Sequence, residues 1–229
     1  MTLAPCCSGS AGLCLILVSV RYSPARVTAL KKNMTLPSIG LIGRARSGKD
    51  TIAAYLMREH GYVRVGFADA VKDAALALDP IVTITPYADE GHKGGTWRLS
   101  DLVHVFGWEM AKDEYPEVRR ILQRLGDEAG RQIHGENTWV DQARYKIRAA
   151  WIQGSPVVVS DVRYPNEADL LREAGLTLVK VERCTIVGQS VTDSHASEAF
   201  VDTLSPDVVI SNDGTIKDLE TQVRAVVSR

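Results

Sequence analysis

The chain has 229 residues, 45% of them hydrophobic and 24% charged, with a formal net charge of -1. That composition excludes a disordered or low-complexity polypeptide, and the length suits one well-buried core better than two. A balance so near zero also excludes a broad cationic field, so neither nucleic acid nor a membrane surface is expected as a partner.

Residues 1–33 stand apart. Ala11 to Val20 is apolar, but no basic residue precedes it, and a bilayer span needs about 20 residues. Cys6, Cys7 and Cys14 fall in this segment and only Cys184 lies beyond it, so the remainder has no disulfide framework and reads as a reduced, cytoplasmic protein. Met34-Thr35-Leu36-Pro37 leads straight into the first strand. Residues 1–33 are therefore expected to be a disordered extension or a mis-set start, with a cleaved or membrane-associated leader as the alternative, and residues 34–229 form the domain.

Ile39 to Ile42 reads as a buried strand, and Gly43-Arg44-Ala45-Arg46-Ser47-Gly48-Lys49-Asp50-Thr51 follows it. Two glycines around Arg-Ala-Arg-Ser, then lysine and the start of a helix, is the pattern of a phosphate-binding loop. The glycines let successive N–H groups converge on phosphate oxygens at a helix N-terminus, and the lysine neutralises charge at the β- and γ-phosphates. The pattern departs at one place: Asp50 stands where Ser or Thr is usual, with Thr51 next, so either is a candidate for the magnesium shell.

Thr51 to His60 continues as a helix ended by Gly61. Tyr62 to Phe67 is the next strand, and Val71 to Leu78 a helix stopped by Asp79-Pro80. Thr83 to Thr96 reads as a mobile loop. Helices at Leu99 to Phe106, Pro116 to His134 and Thr138 to Ile152 make an insertion of about residues 80–152, the expected place of the acceptor. Pro156 to Ser160 then reads as a strand buried on both faces, Asn166 to Ala174 as a crossover helix, and Leu176 to Glu182 and Asp207 to Ser211 as further strands. Thr215 caps a closing helix to Val227, with Ile216, Leu219, Val223 and Val226/Val227 facing the core. The whole is an α/β, three-layer, doubly wound parallel sheet with a helical insertion and a lid at about 183–198.

Ligands of such sheets bind at the carboxyl ends of the strands. Asp69 and Lys72, Asp161 and Arg163, Arg183, and Asn212-Asp213-Gly214 all fall there. Each taken singly is also what a surface ion pair looks like, but together they suit a site for several phosphates and a magnesium ion.

With these segments, Leu122-Gln123-Arg124-Leu125-Gly126, Arg131, Trp139-Val140, Asp161-Val162-Arg163-Tyr164-Pro165-Asn166-Glu167 and His195-Ala196-Ser197-Glu198, the chain resembles the bacteriophage-type deoxynucleoside monophosphate kinases from about Met34 onward. Animal-type phosphomevalonate kinases are similar in the loop and around Lys72 and Asp161. The resemblance implies a P-loop kinase that moves the γ-phosphoryl group of ATP, with Mg2+, to the 5′-phosphate of a deoxynucleoside monophosphate, with a homodimer compatible. Under it Gly43, Arg46, Ser47, Gly48, Lys49, Asp50, Thr51, Asn212 and Gly214 bind ATP, and Asp50, Thr51 and Asp161 serve the metal. Asp69, Lys72, Arg124, Arg131, Trp139, Asp161, Arg163, Glu167, His195 and Glu198 bind the acceptor. Lys49, Arg131, Arg163 and Arg183 act on the transferring phosphoryl group.

Several readings stay open at this level. The segment Cys184 to Ser194 has no Lys or Arg, so the arginine of the transition state is Arg183 or one of Arg120, Arg124 and Arg131. Arg120, Arg124 and Glu128 are also spaced as surface pairs. Trp97, Trp108, Trp139 and Trp151 suit core or hinge packing, with Trp139 the candidate for the base side. His195 with Ser197 and Glu198 is read either as a helix cap or as a segment that closes over substrate. The scattered histidines have no zinc-ligand spacing. A phosphomevalonate-type kinase or a non-catalytic ATP-binding module are the alternative functions.

Overall fold

The computed structural model describes residues 35–84, 95–183 and 200–228. The N-terminal extension and nearly all of the expected lid, His195 and Glu198 included, lie outside the described residues.

Five parallel strands form the central sheet: β1 (Ile39–Ile42), β2 (Val63–Val65), β5 (Val157–Val162), β6 (Thr177–Glu182) and β7 (Val208–Ser211), in the order β2-β5-β1-β6-β7. All five end at the same edge, because every pairing is parallel. Helices α1 (Lys49–His60) and α7 (Ile216–Val227) cover one face, where Ile39, Leu41, Val158, Val179 and Val181 meet Ile52, Leu56, Leu219 and Val223. Helices α5 (Thr138–Ile152) and α6 (Pro165–Glu173) cover the other, where Ile42, Val157, Val159, Val162 and Leu178 meet Ile147, Trp151 and Leu171. This is the expected three-layer α/β sheet. The strands carry β-branched and leucine side chains almost without interruption because both faces are covered.

Residues alternate between the faces until β5, where Val159 and Val162 point the same way. The register with β1 explains this: Gly40 pairs with Val159 and Ile42 with Val162, so two residues of β5, Ser160 and Asp161, stand opposite Leu41 alone. Such a bulge re-aims side chains at a strand end, and here the residue it re-aims is Asp161.

Some boundaries differ from the sequence reading. Phe67 does not end β2 but begins α2 (Phe67–Leu78), whose start is fixed by side chains the pattern could not show. The ends of the expected Thr83 to Thr96 loop pair as an antiparallel hairpin, β3 (Ile81–Ile84) with β4 (Gly95–Arg98). Helix α3 runs through Leu99–Glu114 rather than stopping at Phe106, broken at Gly107, whose φ of 72° and ψ of 165° are not helical. The expected helix from Pro116 divides into α4 (Pro116–Gln123) and a π-helical segment (Arg124–Ile133). Ile216 is exposed instead of core-facing, being the first residue of α7. The Thr215 cap forms as expected: its hydroxyl accepts from Asp218 N at 3.3 Å while Asp218 accepts from Thr215 N at 2.8 Å.

The helical part between β3 and α5 has a small core of its own, with Val82, Leu99, Leu102 and Val118 buried and Phe106, Trp108 and Tyr115 packed against them. It packs on α2 and α5, the helices that in turn contact β2 and β5 of the sheet.

Candidate active site

The loop between β1 and α1 is shaped by two glycines. A Cβ on Gly48, which sits at φ 106°, would lie 2.4 Å from Asn212 Nδ2, and one on Gly43 would lie 2.7 Å from both Ser47 Oγ and Val181 O. Only glycine lets the backbone pass that close. Arg46 takes a left-handed conformation at φ 60° and is exposed. The turn is braced from the end of β7: Asn212 Nδ2 donates to Ser47 O at 2.9 Å. Asn212 thereby holds the loop's shape, and Gly214 lies exposed two residues on.

Lys49 is buried, and its ammonium folds back into the loop. It donates to Gly43 O at 2.7 Å, Arg44 O at 2.6 Å and Ser47 Oγ at 3.4 Å. These are carbonyl and hydroxyl acceptors of the loop itself, so the ammonium is held within the loop. Asp50 and Thr51, in the first turn of α1, are exposed beside it. Arg44 reaches Asp202 at 2.6 Å on the short 3-10 turn Val201–Thr203.

Asp161 does not stand free at the rim. Its Oδ1 accepts from Phe67 N and its Oδ2 from Ala68 N, each at 2.9 Å, so the bulged end of β5 captures the N-terminus of α2. Burial pushes its pKa up, and the two backbone N–H groups pull it back. Asp69 in the same turn accepts from Gly66 N at 2.8 Å and from Arg64 Nη1 at 3.3 Å, and Arg64 Nε donates to Ser160 Oγ at 3.0 Å.

Glu167 is only 2% exposed, yet it carries three donors: Arg163 N at 2.8 Å and Tyr164 N at 3.1 Å on Oε2, and Arg131 Nη2 at 2.9 Å on Oε1. Burial raises its pKa to about 7, with the Arg163 N–H acting against that rise, the Asp161 charge adding to it, and the Tyr164 N–H and Arg131 acting against it. Arg131 is pinned from a second side, its guanidinium carbon 3.8 Å from the centre of the Tyr164 ring.

The structure thus brings together Gly43, Ser47, Gly48, Lys49, Asp50, Thr51 and Asn212 at the loop, and Asp69, Asp161, Arg131, Arg163 and Glu167 along the adjoining strand ends. Arg183 lies exposed at the end of β6. Lys72 stands one turn beyond Asp69 on α2 and lies by Trp108. Two others stand elsewhere. Arg124 is an exposed partner of Glu128 at 3.1 Å and lines an outer groove with Leu78, Ile121 and Ile133. Trp139 is buried, its ring against Gly130 and its N–H on Gly126 O at 2.8 Å, which makes it a scaffold for the π segment. Arg64 and Tyr164 belong to the rim and were not singled out from sequence. Arg64 lies inside β2, ahead of the strand end to which the sequence pattern points, and Tyr164 carries no charge to mark it.

Among the described residues, no cluster of three or more His, Cys, Asp or Glu side chains could cage a metal, and no helix is long and apolar enough to cross a membrane. Magnesium is commonly held by one or two protein oxygens and the phosphates of a nucleotide, and exposed Asp50 and Thr51 beside the loop fit that pattern.

A family model described as deoxynucleotide monophosphate kinase matches residues 86–223. A protein of Acanthamoeba polyphaga mimivirus, provisionally named a deoxynucleotide monophosphate kinase, is 29% identical over 206 residues, covering 82% of this chain and 95% of that protein. The deoxynucleotide monophosphate kinase of Enterobacteria phage T4 is 23% identical over 241 residues, covering 81% and 96%. The deoxynucleoside-5′-monophosphate kinase of Escherichia phage T5 is 28% identical over 182 residues, covering 59% and 71%.

Proposed function

The chain belongs to the deoxynucleotide monophosphate kinase family, and from that premise we propose how its residues carry the phosphotransfer from ATP to a deoxynucleoside 5′-monophosphate. Phosphoryl transfer needs little covalent chemistry from a protein; it needs two phosphates held in line and the charge between them offset. The observation that carries the reading is the burial of the Lys49 ammonium inside the Gly43 to Thr51 loop, beside a rim that holds Arg131 and Arg163.

Gly43 to Thr51 bind the donor triphosphate. On its arrival the Lys49 ammonium exchanges the Gly43 and Arg44 carbonyls for β- and γ-phosphate oxygens, which are stronger acceptors because they are charged. Asn212 keeps the loop from relaxing during that exchange. Asp50 and Thr51 hold magnesium, which when bound offsets charge on the phosphates.

Arg131 and Arg163 hold the acceptor phosphate. Arg131 is oriented before substrate arrives, because Glu167 and Tyr164 fix two of its sides, and a guanidinium already in place loses little entropy on binding. Asp161 serves as an anchor that sets α2, and with it Asp69 and Lys72, at a fixed distance from the loop. Arg183 on the donor side is the candidate for charge that develops on the transferring group. The reaction belongs in the cytoplasm, where ATP and deoxynucleotides are found.

The test is ADP release from the full chain with ATP, magnesium and a panel of dAMP, dCMP, dGMP, dTMP, the ribonucleotides and phosphomevalonate. Turnover that requires a deoxynucleotide and disappears in Lys49→Ala supports the reading. Turnover with phosphomevalonate alone, or ATP binding without turnover of anything in the panel, overturns it.

A further inference from the structure

The 3-10 turn Val201–Thr203, with Phe200 before it, touches both the phosphate loop and the ring on which Arg131 lies. Its own place is fixed by burial. Val201 is 1% exposed and Leu204 6%, both in the core that holds Val162, Ala168 and Leu171. The turn is closed by Thr203, whose N–H and hydroxyl donate to Phe200 O at 3.0 and 2.7 Å, and Arg172 of α6 donates to Ser205 O at 2.6 Å.

While Val201 and Leu204 are buried, Phe200 and Asp202 are exposed and have partners on opposite sides of the reaction. Asp202 accepts from Arg44 Nη2 of the phosphate loop at 2.6 Å and lies 3.6 Å from Lys180 Nζ. Lys180 pairs with Ile42, so this contact falls where β1 becomes the loop. The hydrogen bond from Arg44 holds the Asp202 carboxyl below the usual carboxylate range, burial acts against it, and the charges of Arg44 and Lys180 add to the lowering. The carbonyl of Arg44 accepts from Lys49, so this loop residue is held by Asp202 at its side chain and by the lysine at its backbone.

Phe200 meets the Tyr164 ring, with 5.8 Å between centres and a tilt of 41°. Tyr164 is the ring over which the Arg131 guanidinium lies at 3.8 Å. Arg131 belongs to the π segment and not to the sheet, so strand pairing does not set its distance from the loop. Contacts with Glu167 and Tyr164 do, and Phe200 steadies the second of these.

We infer that Phe200 and Asp202 are positioning residues: their turn is a bracket that holds the donor loop, through Arg44, at a set distance from the acceptor arginine Arg131, through Tyr164. This rests on the kinase reading above. Transfer between two bound phosphates needs the reacting atoms about 3–3.5 Å apart and aligned, and a misplacement of about 1 Å can cost about 100-fold. A bracket therefore acts on kcat, while each half of the site keeps its own hold on its ligand.

The experiment is kcat and KM for ATP and for the deoxynucleotide the parent turns over fastest, in full-length Phe200→Ala, Asp202→Ala, the double variant and Phe200→Tyr. Melting midpoints are measured alongside, with the affinity of a bisubstrate probe, adenosine joined through five phosphates to that deoxynucleoside. Each alanine variant should lower kcat roughly tenfold with both KM values within about twofold, and the double variant should fall no further, because releasing either end frees the bracket. The probe spans both halves and should bind roughly tenfold more weakly to all three, whereas Phe200→Tyr keeps the ring and should match the parent. Midpoints should move by no more than a few degrees, since Val201 and Leu204 still anchor the turn and Lys180 keeps Glu182 at 2.9 Å. A loss of about 100-fold in the double variant would make the two contacts independent and overturn the proposal, as would unchanged kcat in either single variant. Parent turnover with undiminished probe affinity in the variants overturns the bracket alone. A parent that turns over no deoxynucleotide overturns the kinase reading and the bracket with it.

Discussion

Arg131 donates to Glu167 at 2.9 Å across the boundary between the helical insertion and the central sheet. The acid is almost wholly buried while the arginine keeps 16% of its side-chain surface in solvent. One end of the pair is structural and the other faces the rim.

Burial of Glu167 makes stability pH-dependent in an unusual direction, with Arg131 acting against it. The Glu167 carboxyl lies at about 7 in the fold and near 4.5 without it. Unfolded chains therefore lose this proton first, and stability falls as pH rises from about 4.5 to about 7, by roughly 1–3 kcal/mol. Glu167→Gln removes that titration, so denaturation midpoints of parent and variant, measured between pH 5 and pH 8, should shift in the variant's favour as pH rises. A gap that stays constant with pH would show that Glu167 is ionised throughout.

Lys49→Ala should lower kcat at least about 100-fold, the scale on which fixed charges act in transfer reactions. The Arg44 carbonyl it now bonds is at an exposed residue, but the buried Gly43 carbonyl loses its donor, so the thermal midpoint should fall by several degrees as well. Parallel turnover and melting measurements separate the two.

Gly130 and Gly126 are both glycines of the π segment, but substitution should affect them differently. A Cβ on Gly130 would lie 2.4 Å from Trp139 Cζ2, whereas one on Gly126 meets nothing nearer than Val71 at 3.7 Å. Gly130→Ala should cost about 1–3 kcal/mol by displacing the ring, and Gly126→Ala should be neutral or stabilise by up to about 1 kcal/mol. Urea titration of both variants checks the contrast.

Asp161→Asn keeps the size of the side chain but turns one N–H acceptor into a donor. One of Phe67 N and Ala68 N would then face an NH2 group, which costs about 1–3 kcal/mol. Amide exchange at Phe67 and Ala68 should speed up before the rest of α2 does, and acceptor KM should rise more than KM for ATP.

Much of this was legible in the chain. Ile39 to Ile42 and Val157 to Val159 are apolar without alternation because both faces of each strand are covered, and Gly43 and Gly48 shape the loop around Lys49 as their spacing suggests. Thr215 and Asp218 are spaced as a cap and form one. What was not legible depends on partners distant in sequence. Phe67 looks like a strand residue until Asp161, 94 positions away, accepts its N–H. Gly107 looks like a stop, yet the helix resumes after it because Ala111 and Val118 belong to the same small core. Arg124 and Arg131 are alike in sequence; only the fold sends one to Glu128 on the surface and the other to Glu167 at the rim. Ile216 has the right spacing for the core but precedes the point where α7 touches the sheet.

The π geometry between Arg124 and Ile133 closes each turn with one more residue than an α-helix uses. The count of residues in this stretch therefore works as a phase setting. Rewinding the segment as α-helix with no residue removed would turn the guanidinium off Glu167 and Tyr164, because each step from Arg124 to Arg131 would then advance by more than its π-helical angle. The position of Arg131 at the rim thus depends on an integer, the number of residues between two fixed points, as much as on the identity of any one of them.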